Sequence, residues 1–140
     1  LVATSIAGPV EAFDGSSITV RYHVTNNGAG TTDSAGWSDT VWLTRSNTRR
    51  PNGALGDVYL GSFGHTGALK VGEGYDNSVT VTIPIHLQGQ FFLTVWTDSN
   101  DRVTEDSFDI NVNPDLPNDI DVALLVVSAD VVCLARLARP

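Results

Sequence analysis

The sequence predicts an all-β fold, an immunoglobulin-like antiparallel β-sandwich of about seven strands. Three observations lead there. With 17 Val, 14 Thr and 6 Ile among 140 residues, the chain is rich in β-branched side chains, which fit a pleated, half-buried surface. Strong helix formers for a solvent-facing surface are scarce, with 3 Glu, 2 Gln, 1 Lys and no Met. Short segments that alternate apolar and polar residues recur along the chain, separated by Gly, Pro, Asn and Asp.

Taken in order, residues 1–6 read as a short strand ended by Gly8 and Pro9. Residues 17–25 carry the clearest pattern. Ile18, Val20, Tyr22 and Val24 alternate with Thr19, Arg21, His23 and Thr25, so one face is buried and the other wet. Asn26, Asn27 and Gly28 tolerate positive φ and stop that strand. Residues 39–45 form the next, with Val41 and Leu43 facing in, and residues 46–56 are a loop. A strand near 57–63 precedes a Gly-rich link from His65 to Gly74. Val79, Val81 and Ile83 alternate with Thr80 and Thr82 in residues 77–83, and Pro84 closes that strand. Residues 90–98 put Phe91, Leu93 and Val95 on one face and Phe92, Thr94 and Trp96 on the other. A turn at 98–101 leads to a short last strand at 102–106.

The sandwich is expected to occupy residues 1–113, followed by an acidic linker at 114–121. Residues 125–131 echo residues 1–7, so the tail at 122–140 reads either as the first strand of a following repeat or as an apolar tail that packs locally. Within it, residues 131–140 do not read as native β structure, and a short helix is the alternative.

Charge narrows the function classes. Lys and Arg number 8 against 16 Asp and Glu, a net charge of −8. A nucleic-acid partner is not expected, because such binding needs clustered bases to release counterions. Attraction to anionic membrane surfaces is disfavoured for the same reason, and the longest apolar stretch is interrupted by Asp130, so no membrane insertion is expected. A single cysteine, Cys133, excludes an intrachain disulfide and a cysteine-based zinc site. No signal peptide opens the sequence, which fits either a processed chain or an excised piece.

The segments at 17–28, 37–44, 60–63, 69–74, 79–84 and 89–98, with the hairpin from Asp98 to Glu105, together resemble the CARDB family, the cell adhesion related domain found in bacteria. The resemblance spans residues 1–113. It implies an immunoglobulin-like sandwich, usually in tandem arrays on large secreted or surface proteins, with spacing or adhesion as its role and no shared active site. The partners it implies are neighbouring repeats or domains of the same polypeptide. The sequence departs from the family after Asp121, where a second repeat should continue.

No catalytic residues are assigned. His23 sits on the wet face of a strand, His65 in a Gly-rich link and His86 after a strand-ending proline. No Gly-x-Ser-x-Gly elbow, zinc-protease helix motif or phosphate-binding Gly-rich loop accompanies them. Residues 98–121 are different, holding 8 of the 16 acids against one base, Arg102. Asp98, Asp101, Glu105, Asp106, Asp115, Asp119 and Asp121 offer the oxygen ligands that Ca2+ takes, and a bound cation would stiffen the junction. The same residues serve as turn and linker residues that keep a β protein soluble.

The aromatics offer a second surface. With Val41, Leu43, Leu93 and Val95 inward, Trp42, Phe92 and Trp96 point outward. Flat aromatics on one sheet face stack on sugars in carbohydrate-binding modules, and they also form cross-strand pairs or lie under a neighbouring repeat. A glycan or a cell-surface protein is the external partner this surface would take.

Overall fold

The computed structural model describes residues 1–47, 50–103 and 120–128. Its strands are β1 (Val2–Ala7), β2 (Glu11–Phe13), β3 (Ser17–Thr25), β4 (Gly36–Thr44), β5 (Val58–Thr66), β6 (Gly74–Thr82), β7 (Gly89–Trp96) and β8 (Ile120–Ser128), with one 3-10 turn at Gly53–Leu55. They build two sheets, one ordered β1-β3-β6 and the other β2-β8-β7-β4-β5. This is the immunoglobulin-like sandwich that the alternation predicts.

The core lies between the sheets. From the three-stranded sheet come Ile18, Val20, Tyr22 and Val24 of β3 and Val79 and Val81 of β6. From the five-stranded sheet come Trp37, Val41 and Leu43 of β4, Phe91, Leu93 and Val95 of β7, and Leu125 and Val127 of β8. Each set occupies every second position of its strand, which is why one face is dry.

The first strand changes sheets. β1 pairs with β3 in one sheet, the chain turns at Gly8 and Pro9, and β2 pairs with β8 in the other. Gly8 makes the crossing possible: a Cβ there would stand 2.8 Å from Leu93 Cδ2. β1 carries a bulge between Thr4 and Ala7, where Ser5 adopts a left-handed φ of 56°.

Three expectations change. β2 is short and was not read from the sequence; its one inward residue, Ala12, packs against the core. β5 runs through His65, which therefore lies on a strand and not in a Gly-rich link. The larger correction concerns the C-terminal segment. Residues 120–128 form β8 of this same sandwich instead of a linker end and the first strand of a following repeat. The physical reason is the edge of β7. Without β8 that strand would leave its outer row of N–H and C=O groups open, and the core beside Phe91 would lack Leu125 and Val127. Residues 114–119 and 129–140 lie outside the described residues, as does most of the expected strand at 102–106.

Candidate functional site

Among the described residues, a dense polar group lies inside the molecule, around Asp39 of β4. Its position in the strand, two residues from Trp37 and two from Val41, points it inward, and it is fully buried. Oδ2 accepts from the Tyr75 hydroxyl at 2.6 Å and from the Tyr22 hydroxyl at 3.1 Å. Oδ1 accepts from the Thr97 hydroxyl at 2.6 Å and from the Asp98 N–H at 3.2 Å. Two further donors back the phenols: Trp37 Nε1 donates to the Tyr75 oxygen, and Asn77 Nδ2 to the Tyr22 oxygen, each at 3.0 Å. His65 stacks on the Tyr75 ring at 3.9 Å and lies 4.4 Å from Trp37, while its Nε2 meets the Gly67 carbonyl at 2.8 Å.

Burial, and then the Asp39 charge, push both the Tyr22 and Tyr75 phenols well above the usual tyrosine range. They stay protonated and act as donors. Tyr22 and Tyr75 belong to the three-stranded sheet and Asp39 to the five-stranded one, so the carboxylate pins the layers together. Among the described residues no buried side-chain nitrogen or oxygen lacks a partner. The arrangement is a satisfied brace rather than a reactive centre.

The brace also seats the turn where the expected calcium ligands begin. Asp98 and Asp101 both take left-handed φ values, 50° and 52°. Asp98 is largely buried, and its carboxylate accepts from the Arg102 N–H at 2.8 Å and the Val103 N–H at 3.0 Å. It therefore caps a turn with both oxygens. Asp101 is exposed in the same turn. Asp121 is in β8, in register with Val95. Glu105, Asp106, Asp115 and Asp119 lie outside the described residues. Among the described residues no three acids, histidines or cysteines are grouped as a metal would need.

The outer face of the five-stranded sheet does bring the aromatics together. Trp42 is in register with Thr94, Trp96 with Thr40, and Phe92 with Thr44, so all three aromatics share one face on adjacent strands. They are half-buried, not freely exposed. Trp42 meets Tyr59 edge-on at 5.4 Å and donates from Nε1 to Thr40 Oγ1 at 3.0 Å. The Arg50 guanidinium lies 5.6 Å above the Trp96 ring. Leu124 and Val126 of β8 extend the apolar surface past Phe92. Tyr59 was missed from the sequence, although Val58 and Leu60, packed against the core on either side of it, are the signal that turns it outward.

The remaining histidines are on the surface. His23 Nδ1 meets Asp76 Oδ1 at 2.8 Å across β3 and β6, at the rim of an open cavity of about 260 Å3 that Ser5, Arg21 and Ser78 also line. The His86 N–H donates to Asp14 Oδ2 at 2.7 Å.

Fold and brace together define an immunoglobulin-like sandwich module whose two sheets are joined by a buried carboxylate. The CARDB family model matches residues 1–115, and the chain belongs to that family. Among solved structures it is similar to the CARDB domain of the PF1109 protein from Pyrococcus furiosus, described as in complex with di-metal ions. That match has 13% identity and a TM-score of 0.57 and covers 91% of this chain and 86% of that one. It is also similar to the sporulation control protein Spo0M from Bacillus subtilis, at 14% identity and a TM-score of 0.49, covering 97% of this chain and 56% of that one. No curated protein matches the sequence.

Proposed function

We propose that this chain is a non-catalytic module of a larger extracellular or cell-surface protein, one that spaces or presents neighbouring domains and takes part in adhesion. Membership of an adhesion-related family supports this reading. The observation that carries it is the Asp39 brace: among the described residues, this buried group of ionisable side chains joins the two sheets. Among the described residues no helix is long and apolar enough to cross a membrane. The partners under this reading are neighbouring repeats or domains of the same polypeptide.

A second reading rests on the outer face of the five-stranded sheet. Trp42, Phe92 and Trp96, with Tyr59 beside them, form a platform on which a glycan would stack. A glycan array with the Trp96→Ala variant as control separates the two readings. Binding that disappears on substitution establishes the carbohydrate module; an array without binding leaves the spacer. Turnover of a hydrolysable substrate by the chain itself would overturn both.

Calcium remains part of the proposal. The Pyrococcus furiosus domain carries two metal ions, and the acids from Asp101 through Glu105, Asp106, Asp115, Asp119 and Asp121 supply suitable oxygens here. Titration calorimetry with parallel thermal unfolding tests it, because a ligand of the folded state alone raises the unfolding midpoint.

A further inference from the structure

We propose that the fold is built to carry tension along its own chain, with the β2–β8 ladder as the element that resists it. This rests on the reading of the chain as one module within a longer polypeptide.

The argument is geometric. β2 and β8 run parallel, with Glu11 opposite Val126, Ala12 opposite Val127 and Phe13 opposite Ser128. Tension entering ahead of β1 pulls β2 toward its N-terminal end. Tension leaving beyond β8 pulls that strand toward its C-terminal end. Because the strands are parallel, the two pulls are opposed along one axis, and the strands must slide past each other. Ladder hydrogen bonds lie across the strands, so sliding strains all of them together. Were the two strands antiparallel, the pulls would meet at one end and open the bonds singly.

Once β1 has left β3, extension from either end of the described sandwich passes through this ladder. If the N-terminal segment leaves, β1 must slide from β3 and β2 from β8. If the C-terminal strand leaves, β8 must slide from β7 along the register from Gly89–Val127 to Trp96–Ile120, and again from β2. The ladder is closed at both ends by further bonds, Val126 N–H to the Val10 carbonyl and Asp14 N–H to the Ser128 carbonyl, each 2.9 Å. Its inner side is held by Leu125 and Val127, both buried.

Force spectroscopy on the full chain, held by handles at its two ends, tests this. Val126→Pro removes the N–H given to Val10 while leaving β2 present. The unfolding force is expected to fall by roughly a quarter to a half, since one rung of a short ladder is lost. Val126→Ala keeps that N–H and leaves the force nearly unchanged. Leu69→Ala, in the core away from both strands, lowers equilibrium stability with little effect on the force, because forced unfolding follows the barrier and not the equilibrium. If Val126→Pro does not fold, Asp14→Pro removes the rung at the other end, with Asp14→Ala as the control that loses the carboxylate contact to the His86 N–H but keeps the rung. Equal loss of force in the proline and Leu69→Ala variants at matched stability, or no loss in the proline variants, overturns the proposal. The spacer reading would survive that result, since a spacer need not bear load; it falls instead to glycan binding or turnover.

Discussion

Tyr75 and Asp39 meet at 2.6 Å across the gap between the two sheets, and the contact sets what each may be replaced by. Asp39→Ala would leave the hydroxyls of Tyr22, Tyr75 and Thr97 without their acceptor in a dry interior. We expect a loss of about 3 kcal/mol or more, since each unsatisfied buried group costs about 1–3 kcal/mol. Tyr75→Phe removes one donor to the carboxylate and orphans Trp37 Nε1, for about 1–3 kcal/mol. Urea unfolding of the two variants beside the wild type measures both, and the alanine variant should have the lower midpoint.

The same brace makes stability fall in alkali. The folded pKa values of Tyr22 and Tyr75 are raised above their ordinary 10.0, so the folded chain holds these protons more tightly than the unfolded chain does. Their contribution is fully present below pH 10 and is lost as pH rises beyond it, while the unfolded tyrosines ionise. Each adds a slope of at most about 1.4 kcal/mol per pH unit in that window. Urea midpoints taken from about pH 8 to about pH 11 should drop steeply past the tyrosine range. Tyr75→Phe should flatten the drop by about half, one of the two titrating groups being gone.

What could be read from the sequence was local. Ile18 to Val24, Val41 with Leu43, and Phe91 to Val95 each reveal a buried face through alternation within one strand, and each lies in the core. Trp42, Phe92 and Trp96 follow by parity and do share a face. The brace could not be read this way. Asp39 meets Tyr22, Tyr75 and Thr97 across 17, 36 and 58 residues, so its burial is decided by strands that no short window contains. The place of β8 stayed open between a following repeat and local packing for a related reason. Leu124, Leu125, Val126 and Val127 are apolar on both faces, so alternation is silent, and only pairing with β7 and β2 reveals its home.

Gly74 lies where two strands come close, and this predicts a steric cost. A Cβ there would stand 2.5 Å from the Val24 carbonyl oxygen and 2.7 Å from His23 Nε2. The imidazole can swing away, but the carbonyl belongs to the β3–β6 pairing and cannot. Gly74→Ala should therefore destabilise by about 1–3 kcal/mol, the range for overpacking. Thermal unfolding of Gly74→Ala alone and combined with His23→Ala checks the cause. Removing the ring should recover only a minor part of the loss.

Truncating an aromatic on the outer sheet face should be milder. Trp96 is half-buried beneath Arg50 on the outer face of the five-stranded sheet. Trp96→Ala is expected to fold with a loss of about 1–2 kcal/mol, below the roughly 3–5 kcal/mol of a core tryptophan. Trp37→Ala provides the contrast, because Trp37 is 3% exposed and supports Tyr75. Paired denaturation curves should rank Trp37→Ala as the more damaging change, and that ranking makes Trp96→Ala a usable control for glycan binding.

Asp98 and Asp121 separate a turn from a metal site. Asp98 offers one oxygen to the Arg102 N–H and the other to the Val103 N–H. Asn at this position keeps one acceptor and places an NH2 against the other donor. Asp98→Asn should therefore cost about 1–3 kcal/mol whether or not calcium is present, the cost of an unsatisfied buried donor. Asp121 follows the acid-rich segment and stands at the start of β8. If the acids beyond Asp98 hold calcium, Asp121→Asn should reduce the calcium-induced rise in unfolding midpoint and leave the stability measured in chelator unchanged. A calcium response that vanishes in Asp98→Asn and persists in Asp121→Asn would instead make the turn itself the site, with its backbone contacts exchanged for metal.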